Sequence, residues 1–345
     1  MYHNNLSHAK KRFEWVDSLK AIGMICIVIG HALNGVGIWK QLYGFHVPLF
    51  IAVSGMLYNP SSLKFKKYIK NKFKRIMVPY YFGSIISIGV YISIGKYIEE
   101  MPLTLRQCLY GMLWANGENG YMKWNLPLWY LPMFFLIQVF SYFVIKKNNT
   151  VYLLKVLFAS VVIGSSLYYS GIVTNLFMGL ETAIYLYPFF VIGKLINTFL
   201  KADLVHKNKR IISLVGILNF VLGIILISIQ RNVDYVSDEY RNYFVFLIAA
   251  TCVIFAITIF CDIHKLQHRL LLIIGENTLV ILLFHKFPIL FFEKVCPGLK
   301  YLYSINPEIW TIIITPVAIM LCLMLERGFS NIGFFLMEKC EVLNK

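Results

Sequence analysis

The first long apolar segment of the chain carries polar side chains whose spacing could support proton transfer. Four of them fall within an arc about 100° wide when residues are placed about 100° apart around a helix: Asp17, Lys20, His31 and Asn34. Lys20 and His31 are about three turns apart, which places His31 about 16 Å further along the same face. Because imidazole gains and loses a proton near neutral pH, His31 is a candidate general base. We expect both side chains to face a cavity that opens to the cell interior.

A structural role is the alternative for each of these residues. A lysine near the end of a membrane span can extend its ammonium to the lipid head groups, and a single histidine can hydrogen-bond to a neighbouring helix. A charged side chain at the middle of a span costs about 2.5–3.5 kcal/mol, so an aligned set favours function over structure. Asp17 lies too far from His31 to touch it, and we expect it to balance or orient Lys20.

Further candidates occur in later apolar runs. His46 begins the second run and follows the first after a short outer turn, so we expect it near His31. Ser54-Gly55, in the same run, would let a ligand or another backbone approach closely. His285 and Glu181 are ionisable groups in later runs and are candidates on the same ground. Hydrogen bonding to neighbouring helices is the structural alternative for each.

The elements that must position these side chains are helices that span a membrane. Of the 345 residues, 58% are hydrophobic and 14% are charged, whereas a soluble domain carries about 25% charged residues. Apolar stretches of roughly 20 residues, each long enough to cross a bilayer core of about 30 Å, recur throughout. We expect an all-α, polytopic integral membrane protein with a single domain over 1–345 and tails at 1–15 and 328–345. The ten predicted spans are 18–37, 42–58, 77–95, 126–145, 151–170, 179–199, 211–229, 243–261, 271–292 and 309–326.

The charge of the chain is strongly basic. Lys and Arg together number 33 and Asp and Glu 17, for a formal net charge of +16. Most cations lie in short segments between apolar runs, which favours contact with membrane lipids over binding of nucleic acid. They concentrate on the side that holds the N-terminus, which predicts that both termini are cytoplasmic. A basic amphipathic stretch at 62–76 on that side could lie in the interface or bind phosphates.

The longest predicted loop, 98–125, lies on the outer side. Loops of this length are usually functional. It contains Trp114 and Trp124, and Trp129 follows it. These rings could stack on a sugar or belong to the aromatic belt at the membrane interface, and the sequence leaves both roles open.

Several common chemistries have no motif in the sequence. There is no Walker-type phosphate loop, no dinucleotide fingerprint and no HExxH zinc pair. The surroundings of Ser54 differ from the G-x-S-x-G turn of serine hydrolases. The cysteines are scattered, without the short paired spacing of zinc or dithiol sites, and we expect no metal cofactor.

Several short segments occur together in an order and spacing that resembles the membrane-bound acyltransferase-3 family. They are Trp15-Val16-Asp17 with Lys20 and His31; Phe45-His46-Val47-Pro48-Leu49-Phe50 with Ser54-Gly55; Lys72-Phe73-Lys74-Arg75; Leu128-Trp129-Tyr130-Leu131; Pro188-Phe189-Phe190-Val191-Ile192-Gly193; and Ile274-Gly275-Glu276-Asn277-Thr278 with His285. The resemblance covers about residues 13 to 327. Within the family, the sequence is most similar to the fucose 4-O-acetylase-like sugar O-acetyltransferases.

This resemblance implies an O-acyltransferase that moves an acetyl group from cytoplasmic acetyl-CoA to a hydroxyl of a cell-surface glycan or of its lipid-linked precursor. It implies that His31 is catalytic, with Lys20 as the basic residue that precedes it in the family pattern. The family's basic pair on the inner loop corresponds to Lys72 and Arg75. Because ammonium and guanidinium groups attract phosphate, we expect these two residues and Lys74 to bind the acyl-CoA head group.

The acceptor is expected to meet a second set of residues: His46, Ser54, Trp129, Glu181 and His285. Direct transfer with His31 as the base and an acyl-histidine intermediate both fit the sequence. The sequence does not specify the acyl group (acetyl or succinyl), the acceptor sugar or the oligomeric state. The expected location is a bacterial plasma membrane.

A proton-coupled transporter or flippase of a glycan or glycolipid is the alternative function. Such a protein could use His31, His46 and Lys20 as a proton relay. Transporters often show repeat symmetry and broken helices at matching positions in two halves, and the sequence has no such repeat. A membrane scaffold would also explain the hydrophobicity but would leave the polar arc unused.

Overall fold

The computed structural model describes residues 14–33, 38–97, 99, 101–172, 174–202, 205, 207–230 and 233–330. Asn34 and most of the two predicted tails lie outside these ranges. The described residues form helices and no strands, which confirms the all-α class. Helices suit a lipid environment because they satisfy the backbone hydrogen bonds internally. The α-helices are α1 (Glu14–Leu33), α2 (His46–Leu57), α3 (Phe65–Lys72), α4 (Val78–Ser93), α5 (Leu105–Trp114), α6 (Tyr130–Val144), α7 (Thr150–Ser170), α8 (Leu180–Leu200), α9 (Lys209–Gln230), α10 (Tyr243–Ile263), α11 (Arg269–Glu276), α12 (Thr278–Phe284), α13 (Lys286–Lys294), α14 (Pro297–Ile305) and α15 (Pro307–Ser330).

Short 3₁₀ helices and one π-helical turn connect several of these α-helices in the described ranges. In the described ranges, 3₁₀ helices cover Ile38–Gly44, Gly95–Tyr97, Lys123–Trp129 and Phe177–Gly179, and a π-helical turn covers Phe73–Met77. The π turn joins the basic helix α3 to α4, so the stretch predicted at 62–76 is helical from Phe65 onward. Of the α3 residues, only Tyr68 is buried, and Lys66, Lys67 and Lys70 are exposed.

Eight helical segments within the described residues are long and apolar enough to cross a membrane. A ninth span forms if α11 is joined to the segment Thr278–Lys294, which contains α12 and α13. The chain bends by 65° at the break between α11 and that segment. The predicted span 42–58 contains α2, which has only 12 residues, whereas a full crossing needs about 20. The protein is therefore a multi-pass membrane protein, and the count of ten spans and the cytoplasmic termini stay predictions.

Helix α1 lies at the centre, where it packs against α2, α10, α11, α12, α13 and α15. Glycines allow the neighbouring pair α2 and α8 to cross at backbone contact. A Cβ on Gly55 would lie 1.9 Å from the carbonyl oxygen of Phe190, and a Cβ on Gly193 would lie 1.9 Å from that of Ala52. No larger side chain fits at this crossing, so the position of α2 beside α1 is tightly determined.

Candidate functional site

A cavity of about 340 Å³ lies among α1, α2, α6, α12 and the turn after α3. It is at the end of the bundle where α1 begins, which is the end predicted to be cytoplasmic. Lys20, Lys72 and Arg75 all line it. Lys74, grouped with them from the sequence, is exposed and is not one of its lining residues. The structure thus brings three of the four predicted cations together around one cavity.

Lys20 is held by the carboxylate one turn before it in α1. The Lys20 ammonium lies 2.6 Å from Asp17 Oδ1, and Asp17 is 5% exposed. A Cβ on Gly275 of α11 would lie 1.9 Å from the Asp17 carbonyl oxygen, so α11 packs directly on this turn. The ion pair fixes Lys20 at the cavity wall and compensates the buried carboxylate.

Gln138 connects two other predicted residues across the cavity. The Lys72 ammonium donates to Gln138 Oε1 over 2.7 Å, and Gln138 Nε2 donates to Ser54 Oγ over 2.8 Å. Tyr68 donates its hydroxyl proton to the Gln138 carbonyl oxygen over 3.0 Å. Ser54 was expected on the acceptor side, but the structure places it in the cavity that the cations line. The sequence interpretation missed Gln138, although a polar side chain inside the apolar helix α6 was an available signal.

The three candidate histidines gather toward the end of the bundle at which α1 ends. The rings of His31 and His285 have centroids 5.2 Å apart. Tyr43 bridges the group, since its ring centroid is 6.4 Å from that of His31 and 4.9 Å from that of His46. His46 and His285 are buried, at 3% and 0% exposure. We call His31, His46 and His285 the histidine cluster.

Backbone carbonyls determine the tautomers of two members of the cluster. His46 Nδ1 lies 2.7 Å from the Leu42 carbonyl oxygen, and His285 Nδ1 lies 2.7 Å from that of Ile281. A carbonyl oxygen can only accept, so Nδ1 carries the proton when either imidazole is neutral. Nε2 then keeps its lone pair and can act as a base or an acceptor.

Apolar side chains separate the cavity from the histidine cluster. Ile27 and Leu282 line the cavity at its deep end, and His31 and His285 follow them by one helical turn in α1 and after α12. Lys20 therefore faces the cavity as expected, whereas His31 is not one of the cavity-lining residues. The histidine cluster therefore lies one helical turn beyond the lining of the cavity.

The segment between α9 and α10 packs against the cluster through Tyr235. The Tyr235 ring centroid is 5.6 Å from that of His46, and it stacks with Trp129 at 6.5 Å. Tyr235 also donates its hydroxyl proton to the Tyr43 carbonyl oxygen. Trp129 is only 8% exposed, so the predicted sugar-stacking ring is covered by Tyr235. Neither Tyr43 nor Tyr235 was singled out from the sequence, because aromatic residues are common throughout this chain.

Asp238 anchors the same segment. Its Oδ2 accepts from Thr182 Oγ1 over 3.0 Å and its Oδ1 accepts from the Tyr240 hydroxyl over 2.9 Å. Burial, with further contributions from the carboxylates of Glu181 and Glu118, raises the pKa of Asp238 to about 8.

Glu181 belongs to a hydrogen-bonded group near the start of α8. Its Oε1 accepts from Asn116 Nδ2 over 2.7 Å and from the Leu176 N–H over 3.0 Å. Trp114 Nε1 donates nearby to the Asn175 carbonyl oxygen over 3.1 Å. These bonds attach the segment predicted as a loop at 98–125 to the start of α8 and to the residues before it, and none of them reaches the histidine cluster.

Among the described residues, no three His, Cys, Asp or Glu side chains converge in a way that could hold a metal ion.

The site and the fold together define a multi-pass membrane protein with cations at one end of a cavity and imidazoles beyond the other. The chain matches the family model described as an acyltransferase domain over residues 13–327. It belongs to the acyltransferase-3 family and is a membrane acyltransferase. Comparisons with curated proteins and with solved structures give no match.

Proposed function

We propose that the protein transfers an acetyl group from cytoplasmic acetyl-CoA to a hydroxyl of a cell-surface glycan or of its lipid-linked precursor. The observation that carries this proposal is the cavity that Lys20, Lys72 and Arg75 line. The head group of CoA carries several phosphate charges, which ammonium groups attract and guanidinium groups can bind in a bidentate manner. Its long flexible arm can then extend along the apolar part of the cavity toward Ile27 and Leu282.

His31 is the proposed general base. The acceptor oxygen attacks the thioester carbonyl carbon while His31 takes the hydroxyl proton. The carbon–sulfur bond breaks, and the CoA thiolate leaves with the proton that His31 returns. For this step the thioester must pass between Ile27 and Leu282, so side-chain movement at the deep end of the cavity accompanies donor binding.

The acceptor is proposed to enter from the opposite side, past Trp129 and His46. Tyr235 covers this route in the structure, so the segment between α9 and α10 must shift to admit a sugar. An aromatic ring such as Trp129 offers a flat apolar face of the kind on which sugars stack. The proposed location is a bacterial plasma membrane.

Mass spectrometry of surface polysaccharide tests the reaction. Cells that carry the gene are expected to show a sugar modified by one acetyl group, and cells without it should lose that mass. Purified protein in vesicles should release free CoA thiol only when both acetyl-CoA and the acceptor are present. Unchanged polysaccharide would refute the proposed glycan acceptor, and movement of intact solute without covalent change would support a transporter instead.

A further inference from the structure

We propose that His285 is a positioning residue that selects the reactive tautomer of His31. This inference rests on the proposed role of His31 as the base. His285 is fully buried, and among the described residues its Nε2 has no hydrogen-bond partner. Leaving a buried acceptor unpaired costs free energy, so a nitrogen kept in this state calls for an explanation.

The distance between the two rings suits a direct interaction. Imidazoles joined by a hydrogen bond of about 2.9 Å have ring centroids about 5 Å apart. The centroids of His31 and His285 are 5.2 Å apart, with an angle of 41° between the ring planes. At this separation, a His31 nitrogen turned toward His285 Nε2 would lie within hydrogen-bonding distance of it.

The bond to the backbone determines the tautomer of His285, and His285 in turn determines the tautomer of His31. Ile281 accepts from His285 Nδ1, so a neutral His285 presents Nε2 as an acceptor. The His31 nitrogen that faces it must carry a proton, which leaves the lone pair on the other nitrogen of His31. That nitrogen is the one required to accept the proton of the acceptor hydroxyl. The proton passes to His31 and then to the CoA thiolate, and His285 neither gains nor loses one.

The position of His285 is itself supported from another helix segment. Asn125 donates through Nδ2 to the Leu283 carbonyl oxygen over 2.8 Å and to Ser87 Oγ over 3.0 Å. It thereby holds the backbone near the junction of α12 and α13, two residues before His285. Two independent bonds, one to the ring and one to the adjacent backbone, determine where Nε2 lies.

Two conservative substitutions separate this role from a structural one. In His285→Gln, the side-chain oxygen can reach the position of Nε2 and still accept from His31. In His285→Asn, the amide can replace only Nδ1 and its bond to Ile281. Asn277 shows that an asparagine makes such a bond in this region, since its Nδ2 donates to the Ile273 carbonyl oxygen over 2.8 Å. A structural role would thus be preserved by Asn, and the positioning role by Gln.

We expect kcat for acetyl transfer in His285→Asn to fall about 10–100-fold, with the KM for acetyl-CoA unchanged, and His285→Gln to retain most of the activity. The reverse order, or full activity in both variants, would overturn the inference. If His31→Ala is inactive while both His285 variants are fully active, only this inference fails. If His31→Ala is active, the proposed function fails first.

A spectroscopic measurement covers the case in which the variants do not accumulate. ¹⁵N NMR of the native protein labelled at histidine nitrogens reports which nitrogen of each ring carries the proton. We expect one buried histidine with protonated Nδ1 and a hydrogen-bonded Nε2 at His285, assigned by labelling that site alone. A protonated Nε2 at that position would contradict the proposal.

Discussion

Gly55 of α2 meets the backbone of α8 so closely that a Cβ there would lie 1.9 Å from the carbonyl oxygen of Phe190. The neighbouring residue, Ser54, accepts the hydrogen bond from Gln138 that continues to Lys72. The helix crossing therefore sets the depth at which α2 presents Ser54 to the cavity. Helix packing and the shape of the proposed donor cavity are therefore linked at this point of the fold.

Gly55→Ala should lower the thermal stability of the protein, because the added methyl group overlaps a backbone atom that cannot rotate away. Overpacking of this kind costs about 1–3 kcal/mol. The measurement is the midpoint of thermal unfolding in detergent. Gly89→Ala is the matched control, since nothing lies within 4 Å of a Cβ at that position. Equal midpoints for the two variants would show that α2 and α8 are further apart than described.

Removing Lys72 and Arg75 together should raise the KM for acetyl-CoA about tenfold or more, because charge-assisted hydrogen bonds contribute about 1.5–3 kcal/mol each. The values come from initial rates of CoA thiol release by the Lys72→Ala, Arg75→Ala double variant. Lys74→Ala provides a control of the same residue type, as Lys74 is exposed and lies outside the cavity. A larger effect from Lys74 than from the pair would remove the donor assignment.

His31→Ala should reduce acetyl transfer by about 10²–10⁴-fold while the protein still inserts and accumulates, since loss of a general base has this range of effect. Transfer is measured by mass spectrometry of the acceptor, and accumulation by detergent size-exclusion chromatography. His264→Ala serves as the control, because His264 is exposed at the end of α10. Full activity in His31→Ala would exclude His31 as the base.

The segment that covers the histidine cluster should loosen as the pH rises. The carboxyl of Asp238 has a pKa of about 8 in the fold against an ordinary value of 3.8. Between these values the folded state holds a proton that the unfolded state lacks, so its stability falls as the pH rises from about 4 to about 8. Asp238→Asn removes this dependence.

We expect the thermal midpoint to fall less between pH 5 and pH 8 in Asp238→Asn than in the native protein. Asp234→Asn, an exposed position in the same segment, should behave like the native protein. Identical pH responses of the native protein and Asp238→Asn would mean that the burial of this carboxyl contributes nothing to the pH dependence.

Much of the architecture follows from composition and from the recurrence of apolar runs. The helix that carries Lys20 and His31 is predicted at 18–37 and observed at Glu14–Leu33, since periodic polar residues mark one face of a helix. Helix α5 was predicted as loop because it has only 10 residues and lies within a longer polar segment. Its capping box, in which Thr104 and Gln107 bond reciprocally, was a readable start signal.

The candidate site could be predicted only in part. The cationic side chains can be recognised from the sequence, and the fold places three of them at one cavity: Lys20, Lys72 and Arg75. The barrier at Ile27 and Leu282 could not be foreseen, because apolar residues in a span look alike until their neighbours are known. The same holds for the tautomer of His285, which depends on a carbonyl that becomes available only in the folded helix.

The position of the apolar pair Ile27 and Leu282 has a consequence for ion leakage. The proposed reaction brings a donor from one side of a bilayer to an acceptor on the other, and an open path between them would let ions cross. Ile27 and Leu282 lie on one side of the imidazoles and the Tyr235 ring on the other. Because apolar and aromatic side chains disfavour a continuous chain of water molecules, we expect the protein between turnovers to leave the electrochemical gradient intact.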